Sequence, residues 1–187
     1  MRTFRPLAPQ DAQCFTQYLS DMDFQHAPNW AGCFCRFYHT SCSMDEWIAR
    51  DPAKNRQETE TAIRNGSMRG FIALDDNRII GWLNANQVTA YPRLKGFVEA
   101  YVETPLTGAL VCFVIHPDYR RQGIATQLLR AALDGFKAEG ITQVLGFPFE
   151  DPQHPLKAYH GSFSMYLKAG FTLVESRGNQ HVVRCLL

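Results

Sequence analysis

The chain has 187 residues, 45% of them apolar, enough to bury one sizeable core and short for two, so residues 1–187 are expected to form a single domain. Nineteen lysines and arginines against eighteen aspartates and glutamates leave a formal net charge of +1, so no overall field draws the chain to nucleic acid or to an anionic membrane, and any phosphate binding has to be local. The opening Met1-Arg-Thr-Phe-Arg-Pro6 lacks the apolar run of a signal peptide, no stretch has the length of a membrane span, and six cysteines without an export signal read as reduced thiols; a cytoplasmic protein is expected.

Residues 3–7 predict a short first strand, and Pro9 stands where a helix begins, with Cys14, Phe15, Tyr18 and Leu19 as its apolar stripe. Residues 20–40 show no period but carry Phe24, Trp30, Phe34, Phe37 and Tyr38, which reads as a packed flap over a pocket or as a loop tied to the core. Cys33, Cys35, His39 and Cys42 put four soft ligands in one short span. Their spacing does not pair cysteines as structural zinc sites do, so metal-free thiols are expected. Ser43-x-x-Glu46 is a capping box opening a helix through Trp47 and Ile48, and Asp51-Pro52 restarts it toward Ile63 and the stop at Asn65-Gly66. Residues 70–74 and 79–83 around Asp75-Asp-Asn77 spell an antiparallel hairpin. The stretch 84–107, with Tyr91-Pro92 and an aromatic, acidic run from Phe97 to Glu103, predicts a connection without a regular element.

Residues 110–115 form a continuous apolar run closed by Pro117, as in a strand covered on both faces. Beyond it Ile124, Leu128, Leu129, Ala132, Leu133 and Phe136 recur at helical spacing, with Gln127, Arg130, Asp134 and Lys137 opposite. This helix has no Ser, Thr, Asp or Asn to cap its first backbone N–H groups; it has Arg120-Arg-Gln-Gly123-Ile-Ala125 instead. Small side chains, free N–H donors, the positive end of the helix dipole and two guanidinium groups coincide there, which suits a phosphate or pyrophosphate. The run is neither a P-loop nor a dinucleotide fingerprint. Gly140 stops the helix, and residues 142–147 read as a buried strand parallel to 110–115. After a polar, proline-rich loop over 148–155 comes a helix carrying Tyr159, Phe163, Tyr166 and Leu167. Gly170 is its left-handed cap, Phe171 folds back on it, and strands over 172–175 and 182–186 follow.

Arg120-x-x-Gly123-x-Ala125, set between a buried strand and a Leu-Leu helix, resembles motif A of the GNAT acetyltransferase superfamily. Tyr166-Leu-Lys-Ala-Gly-Phe171 resembles its motif B, in the family's order. The resemblance covers the C-terminal half. It implies an α/β fold of the α+β type: a central mixed sheet splayed between two parallel strands, 110–115 and 142–147, with helices on both faces. Acetyl-CoA would lie in the opening as co-substrate. Its pyrophosphate would rest on the N–H groups of Arg121, Gln122, Gly123, Ile124, Ala125 and Thr126 beside Arg120, and its pantetheine along Phe113, Val114 and Ile115. Tyr166 matches the family's general acid for the departing thiolate. Where many members have an asparagine against pantetheine, this chain has Lys157-Ala-Tyr159-His-Gly-Ser162, so Tyr159 or Ser162 would substitute.

The expected activity is acetyl transfer to a primary amine of a small molecule or peptide by direct attack. The base is left open among Glu99, Glu103, His116, Glu150 and water. The expected partners are acetyl-CoA and an amine acceptor, without nucleic acid, membrane or metal; a homodimer is left open. The alternative is a non-catalytic acyl-CoA-binding or sensing module with a Cys/His-rich N-terminal segment.

Overall fold

The structure, a computed structural model, describes residues 1–24, 27–151, 153 and 155–187, with 155–157 described through their backbone alone. Its elements in chain order are β1 (Arg2–Pro6), α1 (Ala12–Ser20), α2 (Met44–Ile48), α3 (Pro52–Arg64), β2 (Gly70–Asp75), β3 (Arg78–Gln87), β4 (Thr107–Ile115), α4 (Ile124–Ala138), β5 (Gln143–Gly146), α5 (Phe163–Lys168), β6 (Thr172–Arg177) and β7 (Gln180–Leu186). The strands build one seven-stranded sheet in the order β1-β2-β3-β4-β5-β7-β6. Every neighbouring pair is antiparallel except β4 and β5, which α4 joins as a parallel crossover. This is the mixed sheet that the resemblance implies.

The apolar periods sort the two faces. Ile124, Leu128, Leu129, Ala132 and Phe136 of α4 pack with Phe71, Leu83, Leu110, Phe113 and Val144 on one face, where Tyr166 of α5 joins them. On the other face Phe15, Tyr18 and Leu19 of α1 and Ala62 and Ile63 of α3 cover Ile72, Ile79 and Trp82. Burying each Leu, Ile or Phe stabilises the fold by about 1.5–3 kcal/mol before chain entropy is counted. Cys14, placed on the buried stripe of α1 by its spacing, is exposed at the stripe's edge.

Helix ends follow the local chemistry. Ser43 Oγ accepts the Glu46 N–H at 3.2 Å while Glu46 returns a carboxylate to the Ser43 N–H at 2.7 Å, closing the capping box. At the end of α5 the Phe171 N–H reaches the Tyr166 carbonyl and the Gly170 N–H that of Leu167, both at 3.1 Å, with Gly170 at φ 92°. The Phe171 ring then stacks edge-on against Tyr166 at 5.0 Å. This turn fixes the angle at which Tyr166 enters the core.

Three expectations need correction. The hairpin's second strand runs on to Gln87, because Asn84 and Asn86 are buried with side-chain partners instead of ending it. The connection 84–107 holds three single 3₁₀ turns, Val88–Ala90, Pro92–Leu94 and Glu99–Tyr101, whose buried Val88, Tyr91, Leu94, Val98 and Tyr101 pack on Ala109, Val111, Leu145 and Phe147. The last helix begins at Phe163 and not near Tyr159: Pro155–His160 is 3₁₀, and Ser162 Oγ accepts the Met165 N–H at 3.2 Å as N-cap. Of the proline-rich loop 148–155, residues 152 and 154 lie outside the described residues.

Candidate active site

The pairing of β4 with β5 covers only Thr107 to Leu110 against Gln143 to Gly146. Beyond Leu110 the two strands part. At the same point β4 bulges: Asn84 pairs with Cys112 and Ala85 with Leu110, leaving Val111 as the extra residue. Val111 and Cys112 both meet the cluster formed by the 88–101 turns, while Leu110 and Phe113 turn toward α4. Past the bulge the His116 N–H is given to the Ile80 carbonyl at 3.0 Å, so strand alternation turns the main-chain groups of Phe113 and Ile115 away from β3 toward the opening. Val114 faces the other way, its carbonyl accepting from the Tyr18 hydroxyl at 2.9 Å. The opening therefore offers the main chain of Phe113 and the Ile115 N–H as a strand edge, the Ile115 carbonyl being taken by Arg120; Val114 serves as a spacer between them.

The loop at the top of that edge is held by its own chemistry. The Gln122 amide donates to the Asp118 carbonyl at 2.8 Å, Arg2 donates to Gln122 Oε1 at 2.6 Å, and Arg120 Nε donates to the Ile115 carbonyl at 3.2 Å. Arg121 at φ 59° and Gly123 at φ 78° are both left-handed. Gly123 is the N-cap of α4 and makes no side-chain cap; the first full helical bond is the Gln127 N–H to the Gly123 carbonyl at 3.0 Å. The N–H groups of Ile124, Ala125 and Thr126 precede it, so they are the helix's free donors. A Cβ at Gly123 would meet no heavy atom within 4 Å, so the space before those donors is open. Ile124 is buried beneath this turn, and Arg120, Arg121 and Gln122 are exposed around it. An open cradle of main-chain donors, left-handed turns and guanidinium groups beside a strand edge fits a pyrophosphate joined to an extended amide chain, which is the shape of coenzyme A.

Tyr166 lies where the strands part. It is fully buried, its hydroxyl donates to the His160 carbonyl at 3.1 Å, and burial raises its pKa well above the ordinary phenol value. A Cβ on Gly146 would come within 2.5 Å of its ring, so it sits directly on the last residue of β5. Gly161, at φ 79°, is held between Met165, Phe113 and Tyr166 with no room for a side chain. Tyr159 packs edge-on against Trp30 at 4.7 Å and leans on His160 at 4.0 Å, with burial raising its pKa to about 12. It is joined to the N-terminal aromatic segment, and Ser162 is engaged as a helix cap.

The candidate bases are scattered. Glu99 is exposed on its 3₁₀ turn, and Glu103 pairs with Arg184 at the far end of β4. Glu150 is exposed beyond β5. His116 has Arg78 Nη2 at 2.9 Å from Nε2 and the Asp118 N–H at 3.3 Å from Nδ1, so both ring nitrogens are engaged. The Cys/His run also disperses. Burial pushes the Cys33 thiol up to about 12, Cys35 is raised well above the usual range by its hydrogen bond with Cys112 and by burial, His39 faces Asn84, and Cys42 lies 3.4 Å from Arg93 Nη2. Among the described residues no three His, Cys, Asp or Glu side chains come together to hold a metal ion. His160, whose ring meets Tyr38 and whose carbonyl accepts from Tyr166, was not singled out by the sequence, where its only signal is its place between Tyr159 and Gly161.

The profile described as "Acetyltransferase (GNAT) family" matches residues 29–171. Over 75 residues, 40% of the chain, the sequence is 33% identical to a Schizosaccharomyces pombe protein named N-alpha-acetyltransferase 30, and the match spans 43% of that protein. Among solved structures, PaiA N-acetyltransferase of Thermoplasma acidophilum in complex with coenzyme A superposes with a TM-score of 0.58 at 16% identity, over 100% of this chain and 99% of the other. A GNAT-family acetyltransferase of Streptococcus pneumoniae superposes with a TM-score of 0.56 at 17% identity, again over 100% and 99%. No helix among the described residues is long and apolar enough to cross a membrane. With the splayed sheet, the uncapped α4 and a profile match over most of its length, this chain belongs to the acetyltransferase (GNAT) family, and residues 29–171 carry its acetyltransferase domain.

Proposed function

We propose that the protein transfers an acetyl group from acetyl-CoA to a primary amine of a small molecule or peptide by direct attack. One observation carries the reading: a strand edge at Phe113 and Ile115 leads into the free donors at Ile124 to Thr126, and Tyr166 stands where that edge meets the end of β5. The pyrophosphate rests on the main chain of Arg121 to Thr126, flanked by Arg120, and the pantetheine amides pair with Phe113 and Ile115. Tyr159 and Ser162 line the near wall. Acetyl-CoA, when bound, supplies the activated acyl group. The main chain around Phe113 polarises the acyl carbonyl, and Tyr166, kept protonated by burial, gives its proton to the leaving sulfur.

The whole chain, 1–187, works as one domain in this reading, since the sheet is continuous from β1 to β6. Six free thiols suit a reducing compartment such as the cytoplasm. The likeness to a protein named for N-alpha acetylation supports a peptide α-amine as the first acceptor to try. An acetylation screen over peptides and small amines, following release of the CoA thiol, tests the proposal. Acceptor-dependent thiol release supports it, and tight CoA binding without turnover on any amine overturns it.

A further inference from the structure

We infer that His160 is the base that takes the proton from the incoming amine. The inference rests on the acetyl-transfer reading above. Among the described residues His160 is buried and His39 half-buried, and their surroundings differ. His39 has its Nε2 against the Asn84 side-chain amide, at 3.3 Å from Oδ1 and 3.2 Å from Nδ2. His160, 7% exposed, has the Tyr38 hydroxyl 3.4 Å from Nε2, while its Nδ1 is buried with no hydrogen-bond partner among the described residues. A buried ring nitrogen without a close partner is costly and asks for a reason.

The position supplies one. Residue 160 crosses the gap between the parted strands with its two ends on opposite faces of the sheet. Its carbonyl accepts from Tyr166 on the α4 face, and its ring meets Tyr38, which packs with the 88–101 turns on the other face. The backbone of Val111, the bulged residue at the mouth of the opening, lies near enough to the imidazole to hydrogen-bond with it and favour its protonated form. Direct attack needs a proton removed on the side from which the amine comes and one supplied on the side where sulfur leaves. His160 and Tyr166 stand on those two sides.

The charge state fits. Burial lowers the His160 pKa to about 4, partly offset by the Val111 backbone, so the ring is neutral near pH 7 and able to accept. The titratable groups around it are Tyr38 from the turn Phe37–His39, Tyr159 from its own segment, Tyr166 from α5 and Cys112 from β4. The three phenols are held protonated by burial. As the C–N bond forms, the amine nitrogen becomes acidic and its proton passes to His160 Nδ1. The C–S bond breaks, and the sulfur takes the Tyr166 proton. The proton gained by the imidazole replaces the one lost by the phenol, so amine and thioester become amide and thiol with no other reactant. Direct attack needs the nitrogen lone pair, so the acceptor has to react as the free amine. About a tenth of a peptide α-amine is free at pH 7, against about one in 2,500 of a lysine side chain. Weakly basic acceptors such as a peptide α-amine are therefore present more often in the reactive form.

The test uses His160→Gln, whose amide can still meet Tyr38 but takes no proton, and His160→Ala with a series of substituted imidazoles in the buffer. Turnover of an α-amine peptide, CoA affinity by calorimetry and thermal melting are followed together. The expected result for His160→Gln is a kcat about a hundred- to ten-thousandfold lower, with CoA affinity and melting nearly unchanged. His160→Ala should be rescued by the imidazoles in proportion to their basicity, which a space-filling role would not produce. A His160→Gln enzyme within about threefold of wild-type kcat overturns the inference. So does a loss of activity that tracks lost CoA affinity or melting without a dependence on imidazole basicity. A wild-type protein that acetylates no amine overturns the acetyl-transfer reading and this inference with it; an active wild type with an equally active variant overturns the inference alone.

Discussion

The two sides of the opening are built from different materials. On the α4 side the proposed cofactor seat is almost all main chain: the edge of β4, the free N–H groups of α4, and left-handed turns at Arg121 and Gly123. On the other side the wall is side chains. Tyr91 gives its hydroxyl to Asn84 at 2.8 Å, Asn84 meets His39, and Arg93 lies over Phe37 at 4.2 Å while donating to the Phe37 and Cys42 carbonyls. A main-chain seat constrains few residue types and does so tightly, because glycine or alanine must stand wherever the ligand approaches. A side-chain wall can be met by many combinations. The first leaves a readable motif, and the second leaves a composition.

The largest expected effect breaks the comparison at the residue that joins both sides. Tyr166→Phe keeps the ring over Gly146 and removes the hydroxyl, so kcat should fall by about two to four orders of magnitude with KM little changed. Loss of its bond to the His160 carbonyl should also lower stability by about 1 kcal/mol, seen as a small drop in melting temperature. Wild-type kcat under conditions where chemistry is rate-limiting would make Tyr166 a packing residue.

Asn84→Ala tests the side-chain wall. It strips partners from the buried Tyr91 hydroxyl and from His39 together, so stability should fall by about 2–4 kcal/mol in denaturant titration, with CoA affinity of the folded fraction unchanged. Gly123→Val tests the main-chain seat in the opposite sense. There is room for its side chain, so the fold should survive; the left-handed strain and the blocked approach should weaken CoA binding about ten- to a hundredfold in calorimetry. Equal effects of both changes on CoA binding would erase the distinction between the two sides.

The smallest effect belongs to neither side. Arg5 donates to Asp11 at 2.6 and 2.8 Å, and this bond, with the Ala8 N–H, holds the Asp11 carboxyl below its usual range. A depressed carboxylate adds stability above its unfolded value, near pH 4, and loses it as pH falls through the lower folded value. Asp11→Asn should therefore cost about 1 kcal/mol at pH 7, and the gap to wild type should close as the melts are taken to pH 3.

The same contrast decides what the sequence could tell. The uncapped start of α4, the Gly170 turn under Tyr166 and the Ser43–Glu46 box are local chemistry within six residues, and each is found where its spacing predicts it. The turns of 88–101 escaped because a single 3₁₀ turn leaves too few residues to show a period. Tyr159 fell at helical spacing from Phe163 and Tyr166, yet Gly161 and the Ser162 cap set the helix start after it. The links of Asn84 to His39, Tyr38 to His160 and Cys35 to Cys112 join residues far apart in the chain, and no pattern in one sequence announces them. The bulge at Val111, which sets which side chain faces which wall, is likewise written in pairing and not in composition.

An unpaired strand edge ordinarily invites another chain to add itself, and proteins blunt such edges with charge, proline or twist. The upper half of β4 is an edge of another kind, because it lies in the interior of a sheet. Tyr166 over Gly146 and the turn Pro155–His160 along β4 stand where a second neighbour would zip on, so neither β5 nor a foreign strand can close over it. In the proposed reading the thin, extended amide chain of pantetheine takes that edge in place of a strand. On that reading the edge is offered to a small molecule and withheld from a foreign strand by its place inside the sheet.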